Sequence, residues 1–212
     1  MISSSTKKLY EKHHRDTRSP GFSILKDVRG KMFSALIGKG KKILDIGCRD
    51  GVLTQYYLSE NNVLGVDVDS IALNRAKDLG INVCEMDLYG NWEEINENNF
   101  DVVVAGEVLE HLFYPEEIID KLVKHLKNDG VFIGSVPNAF SLKNRFKYLF
   151  GIKKGTPMSD PTHVNHFSRR ELKNLLSKHF TSVEILPLGR FMWLDWLWPG
   201  MFSFDLIFIC KK

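Results

Sequence analysis

Cysteine is scarce in this chain: Cys48, Cys84 and Cys210 stand far apart in 212 residues. That spacing gives neither a CxxC zinc pattern nor a disulfide framework, so buried, reduced thiols are expected. An excess of one charge is lacking too. The net charge of +3 is too small to argue for nucleic acid as a partner. The N-terminus, Met-Ile-Ser-Ser-Ser-Thr-Lys-Lys, has no apolar core of a signal peptide, so a cytoplasmic protein is expected. The aromatic-rich stretch 191–210 is interrupted by Asp195, Asp205 and a Pro199-Gly200 break. Each acid at a bilayer centre would cost about 2.5–3.5 kcal/mol, so a Trp-rich loop followed by a strand is expected there. Internal repeats and low-complexity linkers are absent.

What is present is an ordinary globular composition, 43% hydrophobic and 26% charged, long enough for one domain with a full core. Short apolar strands alternate with amphipathic helical patterns. Strands fall near 42–46, 63–67, 82–86, 100–105 and 130–136, and helices near 22–38, 51–60, 70–79, 115–127 and 168–179. That alternation predicts an α/β fold, a parallel sheet with helices on both faces. Asp69 or Ser70 can cap the third helix, Pro115 suits the first turn of the fourth, and Ser168 with Glu171 forms a capping box. Asn128-Asp129-Gly130 is expected to end the fourth helix and turn into the fifth strand. Near the end, 183–187 and 204–210 read as two strands without a helix between them, hence an antiparallel pair.

The chemistry concentrates at the strand ends. Lys41 to Gly51 runs from a short apolar strand into a glycine turn, and twenty-two residues past Asp45 a second strand ends on Asp67. A glycine turn admits close approach to a ligand, and an acid ending the next strand can take both hydroxyls of a ribose. A dinucleotide fold would want Gly-x-Gly-x-x-Gly to cradle a pyrophosphate. This turn instead opens with a carboxylate, Asp45-x-Gly47-x-Arg49-x-Gly51. An acid there suits a ligand with a positive end. S-adenosylmethionine carries an amine, a sulfonium and an unphosphorylated ribose, and is favoured over NAD on charge grounds.

The chain here resembles the class I S-adenosylmethionine-dependent methyltransferases, particularly their small-molecule "type 11" branch. The matching segments are 43–51, 65–67, 85–87, 100–112 and 126–138, in the family's order and spacing over about half the chain. The resemblance implies a Rossmann-like, seven-stranded, mostly parallel sheet with a reversed last strand. It implies that Asp45 lies near the methionine end of the cofactor, that Asp67 takes the ribose hydroxyls and that Asp87 meets the adenine amino group. Gly47 and Gly51 would allow close approach, with Cys48, Val68, Leu88, Gly106 and Glu107 completing the cofactor wall. One departure is Arg49, where the family usually has glycine. An ordinary backbone with an outward guanidinium is expected there, because a left-handed arginine would be strained by roughly 1–2 kcal/mol; the alternative is a guanidinium facing the acceptor pocket.

The acceptor side is read from histidines. Asp160-Pro-Thr-His163-Val-Asn-His166 precedes the last helix. Methylating a hydroxyl requires removing its proton, and imidazole titrates near neutrality. His163 is the first candidate base, His166 the second and His111, beside Glu110, the third. His163 and His166 with a nearby carboxylate have ligand spacing, but no further ligand cluster appears in the sequence, so no metal is expected. The organisation expected is a helical leader or cap over residues 1–40, in which His13, His14 and Arg18 could fold over the cofactor, and a methyltransferase domain over 41–212 with a lid insertion at about 138–167. In that insertion Phe140, Leu142, Phe146, Leu149 and Phe150 form an apolar helical face beside Lys143, Arg145, Lys147, Lys153 and Lys154. Such a helix commonly packs its apolar face on the domain as a lid, or lies on an anionic membrane or acidic substrate. Trp193, Trp196 and Trp198 add a second apolar surface, which with the lid suggests a hydrophobic or lipid-linked acceptor; core packing would account for them equally.

Three functions follow. The first is methyl transfer from S-adenosylmethionine to a small-molecule oxygen. The second is a non-catalytic S-adenosylmethionine-binding partner or regulatory module. The third, methylation of nucleic acid, lacks both a basic excess and the Asn/Asp-Pro-Pro-Tyr/Phe motif, since Ala105-Gly106-Glu107-Val108 follows the fourth strand.

Overall fold

A computed structural model describes residues 8, 11, 12 and 20–212; His13, His14 and Arg18 lie outside the described residues. Among the described residues, seven strands form one sheet: β1 Lys42–Ile46, β2 Asn62–Asp67, β3 Asn82–Glu85, β4 Phe100–Gly106, β5 Leu126–Pro137, β6 Ser182–Leu188 and β7 Asp205–Lys211. Their order is β3-β2-β1-β4-β5-β7-β6. The first five pair in parallel, and β7 runs antiparallel to both β5 and β6. The reversal follows from the absence of a helical crossover between β6 and β7.

Helices α1 Lys26–Ile37, α2 Gln55–Leu58, α3 Ser70–Asp78, α4 Pro115–His125, α5 Leu142–Leu149 and α6 Arg169–Leu176 flank the sheet. The central strands are apolar on both faces, as covered parallel strands must be. Leu44, Ile46, Val103, Ala105 and Phe132 pack on one side, and Ile43, Val102, Val104, Ile133 and Phe33 on the other. Asp69 caps α3 by accepting from the N–H groups of Ile71 and Ala72, and Ser168 with Glu171 makes both halves of the capping box on α6. Cys48 and Cys210 are buried, whereas Cys84 is only half-buried.

Three local expectations need correction. The segment 51–60 holds a single helical turn, α2, after three residues of turn. Asn128-Asp129-Gly130 does not cap a helix: α4 stops at His125 and β5 begins at once. The extra residues bulge instead, since Phe100 pairs with Leu126 but Val102 pairs with Val131. Helix α5, in the segment expected to form a lid, does not lay an apolar face on the domain. Its buried residue is Asn144, whose amide donates to the Asn138 carbonyl at 2.9 Å, while Phe146, Leu149 and Phe150 are exposed.

The topology places the site. Strand order reverses between β1 and β4, whose crossovers leave in opposite directions, and a crevice opens beyond their carboxyl ends.

Candidate active site

The crevice encloses ≈ 270 Å³. Every residue expected in the cofactor wall lines it except Gly51: Asp45, Gly47, Cys48, Asp67, Val68, Asp87, Leu88, Gly106 and Glu107. The turn after β1 sets its floor. Gly47 has φ 69°, and a Cβ there would fall 2.6 Å from Val108 Cγ2. Gly51, at φ 73°, answers to packing instead, because its Cβ would collide with Ile81 Cδ1 at 2.4 Å.

Arg49 also departs from expectation. Its backbone is left-handed, φ 50°, so arginine holds the conformation a glycine would occupy. Its guanidinium does not point outward. It bonds Asp50 Oδ1 and the Phe22 carbonyl, while Asp50 Oδ2 accepts from the Gly21 N–H at 2.8 Å. The pair thereby straps residues 21–22 over the turn, and Ser23 from that segment reaches the crevice wall.

The acids differ in environment. Asp67 is nearly buried, its Oδ2 accepting from the Arg49 N–H and its Oδ1 from the Asp69 N–H, each at 2.9 Å. Two backbone amides thus fix that carboxylate before any ligand arrives. Asp45 Oδ2 accepts from Thr54 Oγ1 at 2.6 Å and from the Tyr57 hydroxyl at 2.7 Å. Burial nevertheless pushes its pKa up to about 6, against the two hydrogen bonds. Asp87 accepts from the Tyr89 N–H at 3.0 Å. Glu107, at φ 60°, is held by Arg29 at 3.0 Å, and the same guanidinium nitrogen lies 3.0 Å from Asp205. Burial alone would lower the Arg29 pKa, but the two carboxylates more than offset it. Asp205 is raised to about 7 by burial first and by the charge of Glu107 second.

Sequence reading missed Arg29, Thr54, Tyr57 and Asp205. Arg29 had a signal: with Phe33 and Ile37 it falls on the buried stripe of α1 at four-residue steps, an arginine where a helix buries apolar side chains.

The histidines separate. His111 lines the crevice, and neither His163 nor His166 is among its lining residues. His163 is buried behind His111, the two rings edge-to-face with centroids 4.7 Å apart. The 160–167 loop grips the short turn Leu109–His111: Val164 and Asn165 donate their N–H groups to the Glu110 carbonyl, each at 2.9 Å. His111 Nδ1 stands 3.1 Å from the Thr162 carbonyl. A carbonyl only accepts, so Nδ1 carries a hydrogen and donates it to Thr162.

Beneath this lies Glu110, buried, with neither carboxylate oxygen in a hydrogen bond among the described residues. Burial first, then the charge of Glu107, pushes its carboxyl well above the usual range. Glu110, His111 and His163 each offer a ligand atom within 4.8 Å of one another and could hold a metal ion. The two residues bracketing this cluster, 110 and 163, are far apart in sequence, which hid it from a search by spacing.

The crevice therefore offers carboxylates at four strand ends, Asp45, Asp67, Asp87 and Glu107, between apolar walls that include Phe33, Leu53 and Met86. Phosphates would meet like charge here; an adenosyl sulfonium meets counter-charges and an acid for its ribose, so the residues present fit it. The comparisons agree. A methyltransferase-domain family model matches residues 20–179. A ubiquinone biosynthesis O-methyltransferase from Actinobacillus pleuropneumoniae is 32% identical over 177 residues, 74% of each chain. A SAM-dependent methyltransferase from Archaeoglobus fulgidus superposes with TM-score 0.70 at 20% identity, covering 97% of this chain and 99% of that one. The plantazolicin methyltransferase solved in complex with SAH gives TM-score 0.66 at 17% identity, covering 99% and 91%. The chain belongs to the methyltransferase-domain family and is an S-adenosylmethionine-dependent methyltransferase.

Proposed function

We infer that the methyl group goes to an oxygen of a small-molecule acceptor, with His111 as the base that removes the hydroxyl proton. One observation carries this reading: among the described residues His111 is the imidazole in the crevice wall, its ring oriented by the Nδ1 contact to the Thr162 carbonyl. A relative named as a ubiquinone biosynthesis O-methyltransferase supports oxygen over nitrogen or carbon.

Bound S-adenosylmethionine supplies an electrophilic methyl on a sulfonium, whose thioether leaves without help from an acid. The chain's own part is alignment, exclusion of water and removal of one proton. Asp67 would hold the ribose hydroxyls, Asp87 would face the adenine and Asp45 would answer the positive methionyl end. The wall from Gly106 to Val108 would flank that end, where Arg29 keeps Glu107 in place. His163 packs behind the His111 ring as a positioning residue.

His111→Gln should lower the turnover of hydroxyl acceptors by about 10²–10⁴-fold while leaving S-adenosylmethionine binding unchanged. The measurement is S-adenosylhomocysteine release with a panel of phenols, sugars and polyprenyl-linked hydroxyls. An unchanged turnover, or a product methylated on nitrogen, overturns the reading.

A second reading rests on Glu110, buried with two unbonded oxygens beside two imidazoles. In that reading a divalent cation held by Glu110, His111 and His163 lowers the acceptor hydroxyl's pKa in place of a histidine base. Loss of activity on chelation, restored by added cation, would favour it over the first.

A further inference from the structure

The aromatic side chains of this protein sit in an unusual place. Trp193, Trp196 and Trp198 are all exposed, Trp196 to 76%, in the loop between β6 and β7. Phe146, Leu149 and Phe150 are exposed on and just after α5, Leu149 to 74%. Isolated apolar side chains at a surface need no explanation, but six large ones on two neighbouring segments do.

The exposure is built rather than incidental. Both segments leave the edge of the sheet that carries the crevice, and polar bonds tie them together. Leu142 N–H donates to the Met201 carbonyl at 2.8 Å, and the Asn138 amide donates to the carbonyls of Gly200 and Ser203 at 2.8 and 3.0 Å. Buried Asp195 accepts from the Gly200 and Phe202 N–H groups and pairs with Arg169 at 3.2 Å. Polar groups therefore form the inside of these segments and aromatic groups the outside, the reverse of a loop packed on its own core.

Charge identifies what covers this face. Between residues 138 and 159 the basic residues are Lys143, Arg145, Lys147, Lys153 and Lys154, and there is neither Asp nor Glu. Tryptophans at the level of lipid headgroups, with lysine and arginine set among exposed aromatic and aliphatic groups, match the chemistry of an anionic bilayer surface. We propose that α5 and the Trp193–Trp198 loop form a peripheral docking surface for an anionic phospholipid membrane, turning the crevice towards the bilayer. Phe113 lines the crevice yet is 70% exposed, an apolar side chain at the mouth of the site. The proposal does not depend on which atom is methylated.

The test is co-sedimentation of the full chain with vesicles of phosphatidylcholine, with and without phosphatidylglycerol. Binding is expected only to the anionic vesicles and should weaken with salt. Trp193→Ser/Trp196→Ser/Trp198→Ser and Lys143→Glu/Lys153→Glu/Lys154→Glu should each reduce partitioning about tenfold or more, with S-adenosylmethionine binding retained as evidence of folding. Should a variant fail to fold, the parent chain decides alone: Trp92 is buried, so a blue shift and quenching by brominated lipid report the exposed tryptophans. Absence of binding to anionic vesicles, equal binding to neutral ones, or unshifted fluorescence overturns the proposal. So does a dimer in solution that the tryptophan variants dissolve, since a second copy of the chain would then cover the face.

Discussion

Arg29 Nη2 lies 3.0 Å from Glu107 Oε1, joining the first turn of α1 to the residue after β4 across 78 residues of sequence. The same nitrogen contacts Asp205 at the start of β7, so one buried cation holds α1 and two strand ends together beside the crevice.

Replacing that cation leaves two carboxylates without it in a buried site. Arg29→Met should therefore destabilise the fold by about 3–5 kcal/mol, far more than a lost surface pair. Chemical denaturation measures it. The loss should shrink as pH falls below about 7, the value to which Asp205 is raised, because a protonated Asp205 no longer needs the partner. A loss below about 1 kcal/mol at neutral pH would show that the triad does not hold these elements together.

Asp45 carries a pH signature. Its folded pKa of about 6 lies above the ordinary 3.8, so ionising it as pH rises between those values works against the fold. Binding a cationic cofactor has the opposite sign, because the ionised form is the one that attracts it. S-adenosylmethionine affinity should fall as pH drops through about 6, and Asp45→Asn should abolish that dependence along with much of the affinity. Titrations across that range would contradict the assignment if the parent chain bound equally well throughout.

Arg49→Gly sets two effects against each other. Glycine relieves a left-handed arginine worth about 1–2 kcal/mol. It also adds about 0.5–1 kcal/mol of unfolded-state freedom and removes the guanidinium's bonds to Asp50 and Phe22. Global stability should change by less than about 1 kcal/mol, while proteolysis near residues 20–25 accelerates. A large stability change with unaltered proteolysis would mean that the side chain acts elsewhere.

The sheet and the crevice lining were legible because they follow local patterns: apolar strands, and acids at fixed distances past their ends. Asp45, Asp67 and Asp87 needed only the strand boundaries. The acceptor side did not follow such rules. His163 looked like the base from its segment alone, yet that loop folds back on Glu110 and buries the ring behind His111. The conformation of Arg49 was hidden because φ at that turn is set by the bond from its N–H to Asp67, eighteen residues on. The lid face was misread because helical periodicity shows that a face is apolar, not what covers it.

The most direct test of the account is a calorimetric titration of S-adenosylmethionine, beside NAD, into the parent chain and into Asp67→Ala. The account predicts saturable binding of S-adenosylmethionine, about a hundredfold weaker in the variant for the loss of about 3 kcal/mol of charge-assisted hydrogen bonds, and no heat from NAD. Heat from NAD with none from S-adenosylmethionine, or equal S-adenosylmethionine affinity in both proteins, would contradict it.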